Sequence, residues 1–225
     1  MKRILFSAWL LCIAIATMAQ AKYVFYFIGD GMGANQVLAA EMYQAALEGK
    51  IGRVPLLMSQ FPYSGQAATF SASYGITDSA AAGTCLASGK KTNNGMIGQT
   101  PDGEPAISVA TQLKSEGWGI GIMSSVPVDH ATPASHYAHA EKRYEYYKIG
   151  THLTTSNFDF YGGGGFQSPI NKEDASAPNL YDLTKEAGYT IVGSYQEAQQ
   201  NIHAQKMLLV PQSDLDNPSK GAGAL

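Results

Sequence analysis

The run Tyr23-Val24-Phe25-Tyr26-Phe27-Ile28-Gly29-Asp30-Gly31-Met32-Gly33 decides what fold to expect of this chain. Apolar, aromatic and β-branched residues follow one another without polar alternation. That pattern predicts a strand buried on both faces, as in a parallel sheet. The run stops at Gly29 and the pattern then turns helical, so Asp30 is expected in a strand-to-helix loop. In open α/β sheets, ligands bind beyond the carboxyl ends of the strands. A carboxylate there, between glycines that allow close approach, suits a hard divalent cation as well as it suits a helix cap. The glycines do not have the spacing of a dinucleotide fingerprint.

Outward from this run, strand and helix patterns alternate. Strands are expected at residues 23–28, 65–71, 119–123, 158–161, 189–192 and 207–210. Helices are expected at 34–47, 79–88, 107–116, 133–140, 143–154, 179–187 and 195–202. The alternation predicts an α/β fold, a three-layer αβα sandwich around a mostly parallel sheet. Beyond residue 210 the chain is polar and turn-rich, with no closing element. A parallel sheet stopped there would leave an open edge and uncovered apolar faces. Poor solubility or a loosely ordered C-terminus is the expected result.

A second stretch, Thr77-Asp78-Ser79-Ala80-Ala81-Ala82-Gly83-Thr84, sets a serine and a carboxylate at the start of a small-residue helix. Asp or Ser before a run of alanines is a standard N-cap signal. A helix N-terminus also favours an alkoxide or a bound phosphate, so Ser79 is a candidate nucleophile that needs an activator. A third stretch, residues 124–143, follows an expected strand and holds three of the five histidines, His130, His136 and His139. It also holds Asp129, Thr132 and Arg143. His130 and Thr132, two apart, offer an imidazole and a hydroxyl to one point if the backbone is extended. Were Pro133 to open a helix, Arg143 would lie about three turns along it, able to grip a tetrahedral anion. His136 and His139 read better as surface or packing residues.

These blocks together resemble the alkaline phosphatases. Five motifs stand in the family's order over residues 22–166: F-I-G-D-G-M-G, T-D-S-A-A-A-G-T, K-K-T-N-N-G-M-I-G at 90–98, H-A-T-P-A-S-H-Y-A-H-A-E-K-R, and the glycines at 162–165. The resemblance implies hydrolysis of phosphate monoesters through a phosphoserine on Ser79. It gives Asp78 the role of orienting Arg143, and Arg143 that of clamping the phosphoryl oxygens. Asp30, Ser79, His130 and Thr132 become metal ligands, for two zinc ions and one magnesium. Imidazole is a softer donor than the aspartate some members carry in place of His130, which leaves the third metal open. In the family most zinc ligands lie in the C-terminal half, so the resemblance makes this chain an N-terminal part, incomplete for catalysis alone. When full length it implies a homodimer. A phosphodiesterase of the same fold, or a non-catalytic phosphate-binding fragment, is the alternative. A sulfatase is disfavoured because no formylglycine signature surrounds Ser79.

Lys2 and Arg3, the apolar stretch 4–16 and Ala19-Gln20-Ala21 predict a secretory signal peptide over residues 1–21, and export to the periplasm or medium. Residues 22–225 are then expected as one domain. Cleavage would leave 13 basic against 18 acidic residues, a net charge of −5 and no basic footprint for nucleic acid. It would also leave Cys85 as the only cysteine, expected to pack inside its helix. Lys90 and Lys91 before Thr92-Asn93-Asn94-Gly95 read as a solvated turn, and the glycines at 162–165 as a strand-end turn that admits close backbone approach.

Overall fold

The computed structural model describes residues 21–221, so the expected signal peptide lies outside the described residues apart from Ala21. Two compact units divide the chain, Met1–Pro62 and Tyr63–Leu225.

In the first unit, α1 (Ala34–Leu47) has the bounds expected of it. It starts at Gly33, whose N–H donates to the Gln36 side chain at 3.1 Å. Glu41, 1% exposed, anchors the returning chain by accepting from Arg53 at 3.2 Å and from the Leu56 N–H at 3.1 Å. These bonds, with one from Ser59, hold its carboxyl below the usual range. A single turn of 3₁₀ helix, Leu57–Gln60, follows.

The expected strand at 23–28 does not form. The segment carries no ladder bonds, and Tyr23 to Phe27 are 59–88% exposed. A run that is apolar on both faces needs strand neighbours on both edges. Its own unit holds no strand among the described residues. The expected strand at 65–71 likewise forms no ladder.

In the second unit, helices α2 (Ser79–Ser88), α3 (Val109–Ser115), α4 (Ala131–Ala134), α5 (Tyr146–Thr155), α6 (Leu180–Glu186), α7 (Tyr195–Gln200) and α8 (Gln212–Asp216) accompany four short strands. The strands are β1 (Gly121–Met123), β2 (Phe160–Gly162), β3 (Thr190–Val192) and β4 (Met207–Leu209). They form one sheet in the order β1-β2-β4-β3, every neighbouring pair parallel. The fold is α/β around a parallel sheet, as the alternation predicts. The tail is not featureless, because α8 closes it with a short turn of helix.

Tyr161, Phe158, Phe166, Ile149, Leu153 and Leu208 are fully buried and form the centre of the core. Helices α5 and α6 meet at Gly150, where an added Cβ would lie 2.3 Å from Leu180 Cδ1. Lys114 on α3 pairs with Asp159 at 2.7 Å, and Asp159 accepts the Ile120 N–H at 2.7 Å, tying α3 to the starts of β1 and β2.

The loops leaving β1 and β2 are zipped together beyond the strand ends. Ser124 N–H donates to Gly162 O, Gly164 N–H to Val126 O and Val128 N–H to Gly165 O, at 2.8–3.0 Å. A Cβ on Gly163 would stand 2.9 Å from both Val126 O and Val128 Cγ1, so the close backbone approach read from the glycine run is what the turn provides.

Candidate active site

Ser79 is the first residue of α2, and Asp78 is its N-cap. One Asp78 oxygen accepts the Ala81 N–H at 2.9 Å, satisfying a donor that the first helical turn leaves open. The other oxygen accepts from Gly95 N–H at 3.1 Å and from the Arg143 guanidinium at 3.0 Å. One carboxylate therefore both caps the helix and holds the Arg143 guanidinium. Asp78 and Arg143 side chains are 24% and 17% exposed, which leaves them shielded from bulk screening but open to a ligand.

Arg143 does not arrive along a helix. The helix expected at 133–140 ends at Ala134, and α5 begins only at Tyr146. Between them the backbone bonds elsewhere, with an antiparallel bridge between Ile97 and Ala140 and a bond from Arg143 N–H to Gly95 O at 2.7 Å. These long-range bonds out-compete the helical pattern and swing Arg143 to Asp78. Residues 90–95 are the expected solvated turn only in part: Lys90 and Lys91 are exposed and the chain turns at Asn94–Gly95, but Thr92 is buried and Asn94 and Gly95 bond directly to Asp78. The Lys91 ammonium lies 3.5 Å over the Phe70 ring and is bonded to the Phe70 carbonyl. A cleft of about 310 Å³ opens between Asp78, the Asn94–Gly95 turn and residues 141–144.

His130 is the N-cap of α4 and Thr132 lies inside it. Helix α2 packs on α4, and Gly83 is what permits the approach. A Cβ there would sit 2.5 Å from Ser135 Oγ and 3.6 Å from Thr132 Cα. The His130 ring stacks on Tyr146 with centroids 6.2 Å apart. Thr132 O is occupied, accepting from Ser135 Oγ at 2.8 Å and meeting His136 Nδ1 at 3.2 Å. His136 is buried, which lowers its pKa, and His139 Nδ1 lies 2.5 Å from Gly98 O. Both histidines are packing residues. Cys85 is half-buried rather than enclosed.

Asp129 is fully buried, accepting from Gln167 N–H at 2.8 and 2.9 Å and from Ser168 N–H at 3.4 Å. Burial pushes its pKa up to about 7 despite those bonds. Sequence reasoning noted Asp129 but gave it no role. Its signal was a carboxylate inside an otherwise apolar V-P-V-D-H-A stretch.

Asp30 lies in the first unit, exposed, in the turn where Met32 N–H donates to Gly29 O. In the second unit Ser79, His130 and Thr132 offer neutral oxygen and nitrogen donors. That set suits a transition-metal ion in kind but falls short of the four donors that zinc takes. No group of three or more His, Cys, Asp or Glu side chains among the described residues is arranged to hold a metal. These residues fit as part of a metal site, not as a whole one.

The second unit is an α/β fold around a parallel sheet, with Ser79 opening a helix and Arg143 bonded to the carboxylate that caps it. The alkaline phosphatase family profile matches residues 21–159, and the chain belongs to that family. It is 34% identical over 193 residues to alkaline phosphatase 4 of Bacillus subtilis (strain 168), covering 81% of this chain and 40% of that protein. It is 35% identical over 141 residues to the tissue-nonspecific isozyme of Gallus gallus, covering 58% of this chain and 27% of that protein. Among solved structures, Thermus thermophilus alkaline phosphatase superposes with a TM-score of 0.71 at 26% identity, over 88% of this chain and 43% of that one. The cold-active enzyme of Shewanella sp. gives 0.66 at 26% identity, over 81% and 44%. The chain thus spans less than half the length of these relatives.

Proposed function

We propose that this chain carries the nucleophile and the phosphate clamp of a metal-dependent phosphomonoesterase. The observation that carries the reading is the Asp78 carboxylate, which caps the helix opened by Ser79 and grips Arg143 at 3.0 Å. Ser79 Oγ attacks phosphorus and the ester oxygen departs as the alcohol, leaving phosphoserine. Water then attacks phosphorus and releases inorganic phosphate and the free serine. Arg143, fixed by Asp78, donates to two non-bridging oxygens and neutralises charge that a diester does not carry. The open N–H groups at the start of α2 face the same anion.

His130, Thr132, Ser79 and Asp30 are the residues that would contribute to the metal set, together with donors these four do not supply. Bound zinc and magnesium would supply Lewis-acid stabilisation of the attacking and leaving oxygens. A histidine-to-aspartate variant of TAB5 alkaline phosphatase, 25% identical to this chain with a TM-score of 0.62, has magnesium bound in its M3 site. In this chain His130→Asp replaces a softer donor by a harder one and should shift preference towards magnesium, read by competitive metal titration.

The test compares p-nitrophenyl phosphate with bis-p-nitrophenyl phosphate in the zinc- and magnesium-supplemented protein, with and without Arg143→Ala. A monoesterase loses monoester kcat/KM on that substitution by about 10–100-fold, roughly the 1.5–3 kcal/mol of a hydrogen bond to a charged group. Faster diester turnover that the substitution spares would favour a phosphodiesterase instead. Phosphate binding without turnover, unchanged by zinc, would favour a non-catalytic fragment.

A further inference from the structure

Asn94 has no place in the chemistry above, yet its side chain uses both ends on the segment that leads into Ser79. Its Oδ1 accepts the Asp78 N–H at 3.2 Å and its Nδ2 donates to Ile76 O at 3.0 Å, so it spans the peptide groups on either side of Thr77. Its own N–H donates to Ser73 Oγ at 3.0 Å. The next residue, Gly95, gives its N–H to the Asp78 carboxylate and accepts the Arg143 N–H at 2.7 Å. Gly95 has φ +88°, a conformation in which a side chain is strained. An ordinary surface turn leaves its polar groups to water. Here both sides of the site converge on two consecutive residues.

We propose that Asn94 is a positioning residue: the Asn94–Gly95 turn sets the spacing between the Ser79 nucleophile and the Arg143 clamp. The proposal rests on the reading of Ser79 as nucleophile. The two halves of the turn separate in a testable way. Arg143 is held by the Asp78 carboxylate and the Gly95 carbonyl, neither of which uses the Asn94 side chain. The approach to Ser79 does use it. The Asn94 amide offers an acceptor and a donor on two separate atoms, one for each peptide group. Removing it therefore loosens the segment leading into Ser79 without removing any bond that Arg143 itself makes, and small misplacements of a reacting group are costly in rate.

The experiment measures kcat, competitive inhibition by inorganic phosphate and amide hydrogen exchange in the full chain, for the parent, Asn94→Ala and Asn94→Asp. The alanine variant is expected to lose kcat by about tenfold or more, with phosphate inhibition changed by less than about threefold. Its Asp78 N–H should exchange about tenfold faster or more. The isosteric Asn94→Asp keeps the acceptor for Asp78 N–H and loses the donor to Ile76. It tests the same point if the alanine variant does not fold, with a smaller loss of kcat and Asp78 exchange nearer the parent's. Unchanged Asp78 exchange in Asn94→Ala would overturn the proposal whatever the activity. So would a parallel loss of kcat, phosphate binding and melting temperature, which marks a merely structural role. If substrate turns over with no phosphate on Ser79, the nucleophile assignment fails, and the exchange result still tells whether Asn94 holds the Asp78 elbow.

Discussion

Asp78 accepts from a helix N–H, a glycine N–H and a guanidinium at once, so its substitution separates capping from clamping. Asp78→Asn keeps one acceptor oxygen and loses the charge opposite Arg143. Phosphate inhibition should weaken by about tenfold, while helix α2 stays capped, at a cost of about 1 kcal/mol or less in stability. Phosphate titration and thermal unfolding read the two effects separately. His152 gives a pH prediction. Burial chiefly, then His139 and Lys148, lower its pKa below the ordinary 6.5, so the folded state resists protonation there. The unfolded chain therefore binds the proton first on acidification. The contribution is present above about pH 6.5 and is lost as pH falls from there through the lower folded value. His152→Gln should flatten that acid limb in melting temperature measured from pH 8 to 5. Parallel limbs in parent and variant would contradict it.

Among the elements, α2 was the most legible and the strand expected at 23–28 the least, for one physical reason. Helix α2 carries its boundaries within itself: Asp78 caps its first turn and Gly89, at φ +73°, ends it. A strand is defined by a partner, and an apolar run states only that it wants one. Arg143 was legible as a residue and not as a position, because its backbone partner, Gly95, lies far away in sequence. Asn94 was hidden for a similar reason: Asn-Asn-Gly reads as a turn whatever its side chains bond to. The approach of α2 to α4 gives the element-scale prediction. Ser135 is buried and already bonded to Thr132 O, so it cannot swing freely from a Cβ at position 83. Gly83→Ala should destabilise by about 1–3 kcal/mol. Ser135→Ala should recover part of that loss in a double-mutant cycle of thermal unfolding. Full additivity would contradict the contact.

Over the whole molecule, apolar surface is uncovered in both units, with Met123, Tyr195 and Ile202 exposed in the second. Tyr23, Phe25 and Phe27 and, on α1, Met42, Tyr43 and Leu47 are all exposed. Exposed apolar side chains in this number mark interaction surfaces or aggregation liabilities. The chain expressed alone should bind a hydrophobic dye strongly, and Phe25→Ser with Phe27→Ser should lower that signal without changing the unfolding of the second unit. Among the described residues no helix is long and apolar enough to cross a membrane. Export and homodimer formation remain proposals, read by N-terminal sequencing of protein from the medium or periplasm and by solution mass. The central claim is that Ser79 accepts the phosphoryl group. Its most direct test is peptide mapping of covalent phosphate after an acid quench of the metal-loaded protein during turnover of p-nitrophenyl phosphate. Phosphate on the peptide containing Ser79, absent in Ser79→Ala, is the predicted result. Covalent phosphate persisting in Ser79→Ala, or turnover with none on Ser79, would contradict the account.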